Sequence, residues 1–264
     1  MSIVKTGHAV AVGVILVAFC IDEGCAGDRP TSWEGWYVGA NVGYRHQVTY
    51  TNYTLGSYIP ITKTVETQVL SDQLDDVLGG IQVGYNWQVG RWVYGFETDL
   101  QATGQKNSQA RFDWMDIGGY EVKTEITQNA RWIGTARGRF GLILDSKIPF
   151  LVYITGGFAY AEVQAGVKII GHDINDNQLT QKQVFSTLKM GAVAGFGIES
   201  LIGQGWSAKV EFLYIGLTTT RDRSPFQTNA WLMIQTPPHS YLASTTYNSR
   251  INESIFRIGV NYKL

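Results

Sequence analysis

Along most of the chain, apolar and polar residues alternate one by one in stretches of about ten residues, the period of a strand with one face in an apolar medium. Eight such stretches stand out, at 36–44, 80–89, 92–101, 131–142, 150–161, 188–199, 206–215 and 255–264. Very short connections, such as Gly90-Arg91 and Gly203-Gln204-Gly205, take turns with long polar ones at about 45–79, 102–130, 162–187 and 216–254. This layout predicts an all-β chain: an eight-stranded antiparallel up-and-down transmembrane β-barrel with short periplasmic turns and four long extracellular loops.

The two faces of these strands differ sharply. One face, which includes Trp36, Val83, Phe96, Ala136, Ile154, Ala194, Val210 and Ile258, holds no charged residue in any of the eight stretches. The other holds Glu97, Asp99, Arg131, Arg137, Arg139, Lys189, Glu199, Lys209, Glu211, Arg257 and Lys263, together with many glycines. Large rings pack poorly inside a narrow barrel, and glycine serves little purpose on an outer wall. The uncharged face is therefore predicted to meet lipid, while the glycines make room inside for long charged side chains. Near the short-turn end of each strand the uncharged face carries a ring: Trp36, Trp87, Trp92, Phe140, Phe150, Phe196, Trp206 and Tyr262. Rings at one level around a barrel are expected to form an interfacial girdle.

Composition agrees with this reading. Charged residues make up 16% of the 264 positions, against ~25% in an ordinary soluble domain. Glycine (30 residues) and the aromatics (8 Trp, 14 Tyr, 11 Phe) take their place. Such a mixture excludes intrinsic disorder, and a net charge of −1 excludes a basic nucleic-acid binder. No apolar run reaches the ~18 to 20 residues of a spanning helix. Residues 1–27 read as a cleaved signal peptide, with Lys5 before a short apolar stretch and small residues at its end. Cys20 and Cys25 leave with it, so the barrel domain, 28–264, is expected to carry no thiol, no disulfide and no cysteine-ligated metal.

Seven segments also carry a resemblance: 33–44 (WEGWYVGANVGY), 79–88 (GGIQVGYNWQ), 93–101 (VYGFETDLQ), 132–141 (WIGTARGRFG), 153–160 (YITGGFAY), 206–214 (WSAKVEFLY) and 256–264 (FRIGVNYKL). In this order they resemble the small eight-stranded outer-membrane β-barrel proteins of Gram-negative bacteria, the porin-like surface antigens related to the OmpA-type transmembrane domain. The resemblance implies residence in the cell outer membrane and a structural, surface-antigen role. Pore, adhesin or haem-binding roles belong to individual members. It also implies recognition by the barrel-assembly machinery through a terminal aromatic. This chain ends instead in Leu264, while Phe256 and Tyr262 keep the alternating signal.

For chemistry, the inward charges Glu97, Asp99, Arg137, Arg139, Lys209, Glu211 and Arg257 are expected to close into one network, because an unpaired buried ion costs several kcal/mol. A structural plug is the plainer reading of it and a narrow ion path the sharper one. The histidines of the barrel domain, His46, His172 and His239, fall at or beyond the long-loop end. With Tyr53, Tyr58, Trp114, Tyr120, Trp231 and Tyr241 they make loop-based haem or metal binding an alternative. His172-Asp173 is the only His/Asp neighbour pair along the chain, and no G-x-S-x-G elbow appears. A lipid-modifying enzyme is therefore the weakest alternative, and the chain is read as no enzyme, with no metal and no cofactor. Expected partners are outer-membrane lipid and lipopolysaccharide, and a host or surface ligand at the loops; Arg221 and Arg223 offer a contact to lipopolysaccharide phosphates, with solvation the plainer reading of them.

Overall fold

The computed structural model describes residues 32–58, 63–104, 108–115, 121–144, 149–172, 178–218 and 242–264. They form β1 (Gly35–Tyr58), β2 (Lys63–Val89), β3 (Trp92–Thr103), β4 (Ser108–Met115), β5 (Glu121–Leu144), β6 (Phe150–His172), β7 (Gln178–Gly203), β8 (Trp206–Thr218) and β9 (Leu242–Lys263). Every neighbouring pair is antiparallel, β1 pairs with β9, and β3 closes the ring on β5. Because β4 continues along β5 where β3 stops, β3 and β4 share one place in the wall. The result is a closed barrel of eight wall positions. The expected export segment, 1–27, lies outside the described residues.

The uncharged face turns outward, as the alternation requires. Trp36, Val42, Ile81, Trp92, Phe96, Ile154, Phe158, Phe196 and Phe256 are all exposed, and the rings pack against one another along the wall. Trp92 stacks on Phe140 at 5.2 Å and Trp206 tilts against Tyr262 at 5.0 Å. In water this surface would expose far more contiguous apolar area than a monomeric soluble protein tolerates. Lipid is the solvent it fits.

Three features differ from the sequence reading. The strands are longer: β1 and β5 run 24 residues and β2 runs 27, although ~9–11 suffice to cross a bilayer. The β1–β2 ladder continues unbroken from Gly35↔Asn86 to Tyr58↔Lys63, through most of what reads as a loop. These stretches are Thr- and Tyr-rich strand formers with no apolar face, so alternation cannot reveal them. Secondly, the lengthened strands outrun β3, which ends at Thr103, and the described part of β8, which reaches Thr218. Among the described residues the wall beyond them is two ribbons, β2–β1–β9 and β7–β6–β5–β4, with no ladder joining β2 to β4 or β7 to β9. Thirdly, the β5–β6 register shifts between Ala130 and Trp132. Arg131 is the extra residue of that bulge and is exposed, not inward; bulges re-aim side chains in this way.

Candidate functional site

The lumen is built in layers. At the short-turn end, Trp33, Val93, Ile143, Leu151 and Tyr153 form an apolar cluster. One step along each strand lies the charge network. Beyond it, Ile133, Ala159, Ala161, Val193, Leu213, Ile215, Leu217, Ile251 and Ile255 form a second apolar cluster, with most members fully buried. The glycine-rich inner face is expected to hold long charged side chains. The strand pattern shows instead that inward positions switch character along one strand: on β8 they read Ser207, Lys209, Glu211, Leu213, Ile215, Leu217.

All seven residues expected in the network meet in the middle layer, and each is at most 4% exposed. Glu97 is its hub. Its carboxylate accepts from Arg137 Nη2, from Lys209 Nζ at 2.7 and 2.8 Å, from Arg257 Nη2 at 3.3 Å and from the Tyr37 hydroxyl at 2.9 Å. Asp99 accepts from Arg137 at 2.9 Å, Arg257 at 3.1 Å and Thr135 Oγ1 at 2.8 Å. Glu211 accepts from Arg137 Nη1 at 3.0 Å, Arg257 Nε at 2.6 Å and the Tyr153 hydroxyl at 3.0 Å. Arg139 donates to Tyr37 at 3.0 Å and to Glu199 at 2.6 Å, and its guanidinium lies 4.2 Å from the Tyr153 ring centroid.

Glu199 thus belongs to the network, although the expected set omitted it. With it the balance closes: Glu97, Asp99, Glu199 and Glu211 face Arg137, Arg139, Lys209 and Arg257. Tyr37 and Tyr153 were also missed, because an aromatic on a glycine-rich face reads as an exception. Glycines are what admit them. A Cβ on Gly197 would stand 2.5 Å from the Tyr153 hydroxyl, and one on Gly84 would collide with the Tyr37 hydroxyl. Gln82 bridges to Asn261, which donates to Glu199 at 2.8 Å, so β2 is tied in as well.

A smaller ion cluster sits further out, where Arg45 reaches Asp76 at 3.2 Å and Glu253 at 3.3 Å. The alternating stretches end before these residues, so the sequence did not mark them. At the short-turn mouth the cavity bounded by Trp33, Tyr37, Asn86, Glu199 and Asn261 measures about 20 Å³, room for roughly one water.

The other expected site residues are placed as follows. Trp36, Trp87, Trp92, Phe140, Phe150, Phe196, Trp206 and Tyr262 all face outward at the short-turn end. Phe256, Tyr262 and Leu264 share that face, and the Leu264 amide donates to Trp36 O at 2.9 Å, stitching the end of the chain to β1. His46 and His172 lie on strands, not loops, as do Tyr53, Tyr58 and Trp114. His239, Tyr120, Trp231, Tyr241, Arg221 and Arg223 fall outside the described residues. Among the described residues no group of three or more His, Cys, Asp or Glu is arranged to hold a metal. The pairing that sequence spacing could not show is His46 with Asp75, 29 residues apart and directly opposite on β1 and β2, with Nδ1 2.7 Å from Oδ1. Only the strand register reveals it. On β6, just past its alternating stretch, Ser186 and Trp132 donate to Glu162 at 2.6 and 2.7 Å and hold its carboxyl below the usual carboxylate range.

An antiparallel barrel with an apolar exterior, ringed outside and filled with paired ions inside, is a membrane-spanning β-barrel. The chain belongs to the outer membrane protein beta-barrel domain family, whose model matches residues 25–263. It is 28% identical over 237 residues to the 31 kDa outer-membrane immunogenic protein of Brucella melitensis, spanning 88% of this chain and 84% of that one. Against the 22 kDa outer membrane protein of Rhizobium leguminosarum bv. viciae it is 29% identical over 184 residues, 69% of this chain and 64% of the other. Among solved structures, OprG from Pseudomonas aeruginosa aligns with 88% of this chain and 97% of its own at 11% identity and a TM-score of 0.36. The protein is an outer-membrane β-barrel surface protein of Gram-negative type.

Proposed function

We propose that the barrel is a closed structural scaffold that displays its two ribbons at the cell surface and conducts neither ions nor solutes. The observation that carries this reading is the layering of the lumen. Its four carboxylates and four cations pair with one another, with Arg139 Nε and Arg257 Nη1 left without an acceptor, and apolar clusters cover them on both sides. A permeating ion would have to shed its water twice, against apolar walls that return no hydrogen bonds. In this reading the short-turn rings sit at the periplasmic interface, lipopolysaccharide surrounds the far end, and surface ligands meet the ribbons. The barrel-assembly machinery reads Phe256, Tyr262 and Leu264. The relatives' names, immunogenic outer-membrane proteins, fit surface display. Purified barrel inserted in a planar bilayer should give no steady single-channel steps. Large, persistent conductance would replace the scaffold by a porin.

A further inference from the structure

The outward face of β1 carries a polar row at the edge of the apolar band. His46 stands directly opposite Asp75 on β2 and directly opposite Ser254 on β9. All three alternate in phase with lipid-facing neighbours, Tyr44 on β1, Val77 on β2 and Phe256 on β9, so their side chains share the outer surface. Directly paired residues on one face have Cβ atoms ~4.5–5.5 Å apart. The row therefore reads Ser, His, Asp across three adjacent strands.

The contact between His46 and Asp75 orients the imidazole. Asp75 as a carboxylate only accepts, so the 2.7 Å contact requires the proton on His46 Nδ1 and leaves Nε2 of the neutral ring as a free base. The Tyr44 hydroxyl also bonds Asp75, which holds that carboxylate in place. Both members of the pair are accessible, with side-chain exposures of 41% and 49%. Depth fixes the substrate. His46 is ten residues along β1 from the ring residue Trp36, which at ~3.3 Å per residue and a tilt near 40° places it ~25 Å away along the barrel axis. That is about the full height of the apolar band, the level at which acyl chains join their polar headgroups.

We propose that Ser254, His46 and Asp75 form a nucleophilic site for carboxylic esters of membrane-lipid acyl chains. Ser254 Oγ attacks the acyl carbonyl carbon and its proton passes to His46 Nε2. The bond from that carbon to the lipid's alcohol oxygen breaks, and the alcohol leaves with the proton from His46. Water then attacks the acyl-Ser254 ester, again losing a proton to His46, which returns it to Ser254 Oγ as the fatty acid departs. Asp75 is a positioning residue that sets the imidazole tautomer.

The test uses the refolded mature barrel. A fluorophosphonate probe should label wild type at Ser254, located by peptide mass. Labelling should vanish in Ser254→Ala and fall about 100-fold or more in His46→Ala, the scale of a lost general base. Asp75→Asn should slow labelling while detergent-resistant folding, read as heat-modifiable gel mobility, is retained in all three variants. Fatty-acid release is then measured from phosphatidylethanolamine vesicles and, separately, from lipopolysaccharide vesicles. Release from either, lost in Ser254→Ala, supports the site and names its source. Labelling without release from either lipid, or release equal in Ser254→Ala and wild type, overturns it.

Discussion

At the residue scale, stability is concentrated in Arg137, whose two Nη atoms join three carboxylates, Glu97, Asp99 and Glu211. Removing it leaves Arg257 as the one guanidinium shared by those three buried carboxylates. Arg137→Ala should cost about 3–5 kcal/mol, read from urea midpoints of the refolded barrel. Adding Glu211→Gln should restore part of the loss, since one orphaned charge is then gone and the two positions are coupled. An unchanged midpoint in the single variant would contradict the network's energetic weight. The seven inward charges were legible from alternation alone because every second position on a strand shares a face. Glu199 lay on the same inward face yet was left out of the expected set. Its partners Arg139, Ser207 and Asn261 lie on β5, β8 and β9, and only the register brings them together.

At the scale of the elements, the membrane-crossing strands were legible and their continuations were not. Alternation reports a boundary between two media, and beyond the lipid both faces of β1 and β2 meet polar surroundings. What maintains the ladder there is register inherited from below, which Tyr50↔Ser71 and later pairs simply extend. The ribbon should therefore be dispensable to the barrel. Replacing residues 51–70 by Asn-Gly, a two-residue hairpin turn, should leave heat-modifiable mobility and urea midpoint as in the full chain. Loss of folding would mean the ribbon is part of the cooperative unit. The bulge at Arg131 was equally hidden, because one inserted residue reverses the face of every later position on its strand and leaves no mark in composition.

For the whole molecule, the fold and its lipid-facing exterior were legible in two sequence facts, the absence of charge on one face and the rings at one end. The layered interior was not, since inward Leu213, Ile215 and Ile255 look like ordinary strand residues until the closed ring places them over the ions. The rings give a direct check on orientation in the bilayer. Single-tryptophan variants keeping Trp87 or Trp92 should be quenched more by lipids brominated near the headgroup than by lipids brominated at mid-chain, as interfacial rings require. Stronger quenching from mid-chain bromines would move the short-turn end into the hydrocarbon.

The balance of four positive and four negative groups in the central layer has an electrical consequence. Moving one elementary charge through a membrane field is worth ~2.3 kcal/mol per 100 mV. A set that sums to zero and moves as one body gives the field nothing to act on. The barrel therefore has no gating charge in that layer, and a potential between the two sides of its membrane does no net work on the layer as a body.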